Sequence, residues 1–172
     1  MTLSGKKIAL FVEKFFEDLE LWYPYYRLQE AGAEVVIVGP KVETYHGKYG
    51  VPAQAQRAIH KVTVSEFDAL IIPGGYSPDH MRRVPAMITF TTEMHRQGKI
   101  VATICHGGWM LASAGIVQGK QVTGFFSIKD DLINAGAQWL DQEVVYDNGI
   151  ITSRTPADLP AFCREIIRAL SA

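Results

Sequence analysis

Gly98-Lys-Ile-Val-Ala-Thr-Ile-Cys-His-Gly-Gly-Trp-Met-Leu-Ala-Ser-Ala-Gly115 reads as a strand, a corner and a helix in succession. The apolar run Ile100 to Ile104 is rich in β-branched residues and short enough for one buried strand. Trp109 to Ala112 are good helix formers, and Gly115 stops them. Cys105, His106, Gly107 and Gly108 fall at the corner between the two. A side chain there is presented on a sharp turn beside the unpaired first amides of a helix. The glycines let the backbone turn and let a small molecule approach. The partial positive charge of a helix start favours thiolate over thiol, so the pattern predicts a nucleophile elbow with Cys105 as the nucleophile. The competing reading is a small buried hydrophobe, the usual fate of a free cysteine in an apolar run. His106 follows Cys105 directly, and neighbours on a helix do not face each other. Its Nε2 reaches the sulfur only if the elbow geometry brings it there.

Outward from that corner, further apolar runs read as buried strands: Ile8–Val12, Glu34–Gly39 and Phe67–Ile72. Between them, Leu19–Glu30 reads as a helix with Leu19, Trp22, Tyr26 and Leu28 on its apolar stripe, and 85–97 as another helix. Residues 40–60 are turn-rich and read as a small hairpin insertion. Lys120–Gly124 reads as a short strand. Ser127 and Asp130-Asp131 fit a helix start, where capping is a commoner role than acid/base or metal chemistry. Asp147-Asn148-Gly149 between two apolar runs is a hairpin signal. The last helix has Thr155 as its N-cap, Pro156 at its first position and a stripe through Leu159, Phe162, Cys163, Ile166, Ile167 and Leu170. Cys163 is thereby assigned to the core. Strands alternating with helices give an α/β fold with a mostly parallel sheet, and no repeat or linker divides residues 1–172.

Pro73-Gly74-Gly75 ends the third of those strands and is the second informative corner. In an open α/β sheet ligands bind at the carboxyl edge, where two glycines allow the backbone to expose its N–H groups; a plain tight turn is the alternative. Tyr76-Ser-Pro-Asp-His80 follows as a polar loop able to deliver Asp79 or His80. The loop after the first strand lacks G-x-G-x-x-G, which removes the dinucleotide-cofactor reading. The five histidines show no metal-ligand spacing, so no metal and no cofactor are expected.

The chain has 172 residues, 17 basic against 18 acidic, which gives no signal for nucleic acid or an anionic membrane as partner. Ile8–Val12 is too short for a signal-peptide core or a membrane span. Two cysteines without C-x-x-C pairing fit a reducing, cytoplasmic setting.

Ile104-Cys105-His106-Gly107, Phe16-Glu17-Asp18 and Pro73-Gly74-Gly75 together resemble the PfpI family, within the ThiJ/PfpI superfamily that includes the parkinsonism-associated deglycase. The resemblance continues through Ser127-Ile-Lys-Asp-Asp-Leu-Ile-Asn-Ala-Gly136 and Ser153-Arg-Thr-Pro-Ala-Asp-Leu159 and covers nearly the whole chain. It implies a flavodoxin-like sandwich, a single domain of the class I glutamine amidotransferase-like type. It further implies Cys105 as nucleophile, His106 as proton carrier, and Glu17 as a protonated carboxyl beside the sulfur. The implied oxyanion hole uses the backbone N–H groups of Gly75 and His106. In protease-like members an acidic residue of the neighbouring subunit orients the histidine; the matching position is Asp79, one methylene shorter than the glutamate found there. Phe125 stands where a tyrosine is seen, and Gly108 replaces a proline. The implied activity is that of a cysteine hydrolase on carbonyl electrophiles, as a deglycase, glyoxalase or intracellular peptidase. Its substrates would be small aldehydes, glycated proteins or peptides, handled in a homodimer or a hexamer of three dimers. The alternative is a non-enzymatic stress protein, a redox sensor that oxidises Cys105 or a chaperone.

Overall fold

The computed structural model describes residues 2–171. In chain order its elements are β1 (Lys7–Phe11), α1 (Asp18–Glu30), β2 (Glu34–Gly39), β3 (Thr44–His46), β4 (Pro52–Gln54), β5 (Arg57–Ala58), β6 (Ala69–Ile72), α2 (Ser77–Met81), α3 (Pro85–Arg96), β7 (Ile100–Ile104), α4 (Gly108–Ser113), β8 (Gln121–Val122), α5 (Lys129–Asn134), β9 (Gln138–Trp139), β10 (Val144–Asp147), β11 (Ile150–Ser153) and α6 (Leu159–Ser171). The main sheet runs β10-β11-β7-β6-β1-β2-β5; every pairing is parallel except that of β10 with β11. Continuous apolar strands are what a parallel sheet covered on both faces requires, and β6 and β7 are buried along their whole length.

Alternate residues of each strand feed two cores. Ile8, Leu10 and Val12 pack with Leu21 and Leu28 of α1 and with Phe162 and Ile166 of α6. Ala9 and Phe11 pack with Met87, Phe90 and Met94 of α3 and with Met110 and Leu111 of α4. The result is the flavodoxin-like sandwich implied by the sequence, a mostly parallel sheet between helical layers. From β1 the chain builds one side of the sheet with β2 and β5, then crosses back and builds the other with β6, β7 and β11. The direction reverses between β1 and β6, and the carboxyl ends of those strands open the crevice where ligands bind in such sheets.

The structure corrects several local expectations. In α1 the buried apolar residues are Leu21, Pro24 and Leu28, while Leu19 and Tyr26 are 59% and 62% exposed. The aromatic run around Tyr26 masks the true stripe, and Pro24 lies inside the helix although it forgoes the bond to the carbonyl four residues back. Residues 77–81 form the short helix α2 and not a loop, with Pro78 in the first turn, where a missing N–H costs nothing. β8 leaves the main sheet and pairs with β9. Thr155 precedes a 3₁₀ turn over Pro156–Asp158 without a side-chain cap bond, and Asp158 instead binds Arg154. The hairpin insertion is present as β3–β4, and Asn148 at φ +47° with Gly149 at φ +84° makes the tight turn between β10 and β11. Among the described residues no helix is long and apolar enough to cross a membrane.

Candidate active site

Three strand ends meet in the crevice: the loop after β1, Pro73-Gly74-Gly75 after β6, and Cys105 after β7. Cys105 is held at φ +59°, a left-handed conformation that costs a side-chain-bearing residue energy and is kept where the surroundings enforce it. A 3₁₀ turn over Cys105–Gly107 leads into α4, so the corner predicted from sequence is present. The packing explains its glycines. A Cβ on Gly74 would lie 2.7 Å from the Cβ of Cys105 and 2.6 Å from Glu20 Oε2. One on Gly75, itself at φ +72°, would lie 2.4 Å from the carbonyl oxygen of Phe15, and one on Gly107 would lie 2.7 Å from that of Ile72.

Cys105 is 7% exposed and lines a cavity of about 540 Å³. Glu17, Glu20, Lys48, Gly75, His106 and Phe125 are among its lining. The backbone N–H groups of His106 and Gly75 lie near the sulfur and favour its anion. The carboxyl set beside the thiol is that of Glu20, not of Glu17: the same absent Cβ of Gly74 would touch both Glu20 Oε2 and Cys105. Glu20 Oε2 accepts the N–H of Gly74 at 2.7 Å, and Oε1 is buried without a hydrogen-bond partner. Glu17 lies one helical turn earlier as the N-cap of α1, where its Oε2 accepts the N–H of Glu20 at 3.0 Å. The sequence signal for this arrangement is the spacing Glu17-x-x-Glu20: the first carboxyl caps the helix, and the second points inward from its first turn.

Burial, reinforced by the charge of Glu17, pushes the Glu20 carboxyl up to about 8, so it is protonated at neutral pH. Burial also pushes the Cys105 thiol upward, as does an ionised Glu20, while the N–H groups of His106 and Gly75 pull the other way. Desolvation therefore outweighs the helix-start charge from which a lowered thiol was expected. His106 meets the sulfur through Nδ1 at 3.2 Å, not through Nε2. Nε2 instead lies 3.2 Å from the Ser127 hydroxyl. The imidazole stacks on Phe125 at 5.0 Å between centroids and meets Trp109 edge-on at 5.2 Å. Burial, then the charge of Lys48, lowers its proton affinity and keeps the ring neutral. Burial works against the Lys48 ammonium as well, but Tyr49, Glu17 and Cys105 hold it above its ordinary value.

The structure thus brings Cys105, His106, Glu17 and Gly75 to one cavity. Asp79 is elsewhere, on α2, paired with Arg83 at the surface beside an exposed hollow lined by Phe15, Tyr76, His80 and Trp109. Glu20, Ser127 and Lys48 escape the sequence reading. Ser127 looks like a helix cap but makes no cap bond, and no local pattern marks Lys48.

Residues 6–169 match the DJ-1/PfpI family. The chain is 43% identical over 164 residues to deglycase PH1704 of Pyrococcus horikoshii, covering 95% of this chain and 99% of that protein. It is 44% identical over 171 residues to protein/nucleic acid deglycase 2 of Escherichia coli, covering 98% and 99% respectively. Among solved structures, a two-domain protein of Anabaena variabilis with DJ-1/ThiJ/PfpI-like and ferritin-like domains superposes with a TM-score of 0.95 at 44% identity; the match spans 96% of this chain and about half (48%) of that one. A strained cysteine between a buried carboxyl and a neighbouring imidazole, on a chain matched from end to end by these relatives, leaves one assignment: the protein belongs to the DJ-1/PfpI family.

Proposed function

We propose that the protein is a cysteine-dependent enzyme of the deglycase type, acting on reactive carbonyl compounds or on their early adducts with amines and thiols. The observation that carries this reading is the convergence of Glu20, His106 and two backbone N–H groups on the sulfur of Cys105. Relatives named deglycases at 43–44% identity support it. With an aldehyde, sulfur attacks the carbonyl carbon; the S–C bond forms and the π pair moves to oxygen. The N–H groups of Gly75 and His106 face the negative charge that develops there. The proton leaving the thiol passes through Glu20 or neutral His106 to that oxygen, which gives a hemithioacetal. Phe125 offers the imidazole a face and no hydroxyl. A cavity of about 540 Å³ suits a small electrophile better than an extended polypeptide. Within one chain Ser127 positions His106; Asp79, outside the cavity of its own chain, acts on the histidine of a second copy across a subunit interface.

The test is turnover of the methylglyoxal hemithioacetal of a free thiol compound, compared across wild type, Cys105→Ala and Cys163→Ala. The expected result is loss of at least a hundredfold with Cys105→Ala and retention with Cys163→Ala. Absence of turnover in the wild type, with suppression of client aggregation surviving Cys105→Ala, would overturn the enzymatic reading in favour of the chaperone.

A further inference from the structure

Lys48 is the one cation among the described residues that line the Cys105 cavity. It is carried on the turn between β3 and β4, and that turn is tied down from below. Asp18, 6% exposed, accepts the N–H of Tyr49 through Oδ2 and that of Val51 through Oδ1, each at 3.0 Å. The N–H of Lys48 donates to the carbonyl of Phe16 at 2.9 Å. Gly47 allows the approach, since a Cβ there would lie 2.4 Å from the Asp18 carboxyl carbon. A buried carboxylate holding two amides fixes the turn, and so fixes where the lysine stem leaves it.

The ammonium is held but not neutralised. It lies 5.0 Å above the Tyr49 ring, and the ion pairs among the described residues engage Lys6, Lys7 and arginines elsewhere. Glu20 is protonated, and Glu17, whose charge favours the ammonium, caps the start of α1 and forms no ion pair with Lys48. A substrate whose carbonyl oxygen faces the N–H groups of Gly75 and His106 therefore meets, on the wall of the same cavity, an ammonium that no ion pair engages.

We propose that Lys48 is a specificity-determining residue that selects carbonyl compounds bearing a carboxylate beside the reacting carbon, that is 2-oxo acids and their adducts, over neutral dicarbonyls. This rests on the carbonyl chemistry proposed above for Cys105, but the anion subsite is testable without it. Iodoacetate and iodoacetamide alkylate the same sulfur: the C–S bond forms, C–I breaks, and iodide leaves with the electron pair. They differ in the carboxylate that only the first carries. In Lys48→Met the ratio of iodoacetate to iodoacetamide rates at Cys105 falls about five- to tenfold, as expected for loss of one nearby charge, and Lys48→Arg restores it. The wild-type ratio also falls with added salt. An unchanged ratio in Lys48→Met overturns the subsite. For the substrate class, the ratio of kcat/KM for glyoxylate to that for glyoxal falls by a similar factor in Lys48→Met. If the alkylation bias depends on Lys48 but the wild type turns over glyoxal and not glyoxylate, the 2-oxo acid assignment is overturned. If it turns over neither, the proposed function fails while the anion subsite stands.

Discussion

Glu20 and Cys105 share one buried setting, so their protons leave as a pair and not one by one. The nucleophile is the tautomer with sulfur anionic and carboxyl protonated. Below about pH 8 its population rises with pH; above that value the pair has lost its first proton and the population levels off. Alkylation of Cys105 by iodoacetamide should therefore climb to about pH 8 and then flatten. In Glu20→Gln the break should disappear and the rate keep rising, while in Glu17→Gln the break should remain but move to lower pH, since the Glu17 charge helps raise Glu20. The same group links pH to stability. Its folded value, about 8, lies above its ordinary value of 4.5, so its contribution is intact below pH 4.5 and is lost as pH rises through 8. At about 1.4 kcal/mol per pH unit the loss is on the order of 5 kcal/mol. Urea unfolding at pH 5 and pH 9 should show wild type losing stability relative to Glu20→Gln, and parallel curves would refute the assignment.

The elbow is a problem of close approach between elements. The loop after β1 forms an antiparallel bridge with the glycine pair after β6 through Phe16 and Gly75, and both press on the turn after β7. Gly75→Ala introduces a Cβ against backbone at positive φ and should cost about 2–4 kcal/mol in urea unfolding, with activity lost in parallel. Gly108→Ala meets only the side-chain ends of Ile128 and Leu132, at 3.1–3.4 Å, and gains helix propensity. It should stay within about 1 kcal/mol of wild type. At this scale the sequence was legible where one local pattern decides an element: the apolar runs of β1, β6 and β7, the Asp-Asn-Gly hairpin and the Cys-His-Gly-Gly corner. It was illegible where contacts distant along the chain decide. Glu17 and Glu20 are both acidic, one turn apart and in the cavity, and only the position of Gly74 shows which of them is set against the sulfur. Ser127 carries a capping residue's composition but is used by His106. The aromatics of α1 read as core because periodicity does not show which face the sheet covers.

Across the whole molecule the two cysteines divide into a site and a probe. Cys163 is fully buried between α6 and the sheet, and burial pushes its thiol up to about 12. Folded protein should take up a single alkyl group, at Cys105, and a second only at the rate of global unfolding. Intact-mass spectra recorded against urea concentration check this, and a second adduct appearing well before the unfolding transition would show that the α6 layer opens on its own.

The hydrogen bond from Gly74 to Glu20 joins residues 54 positions apart, and it holds the carboxyl that meets the sulfur of Cys105. No segment of the chain contains the site, and no helix or hairpin formed early can display it. Closing such distant contacts takes time and is entropically costly until the sheet is in place. A nascent chain thus carries an ordinary cysteine, and the guarded, acid-coupled sulfur comes into being only in the final steps of folding.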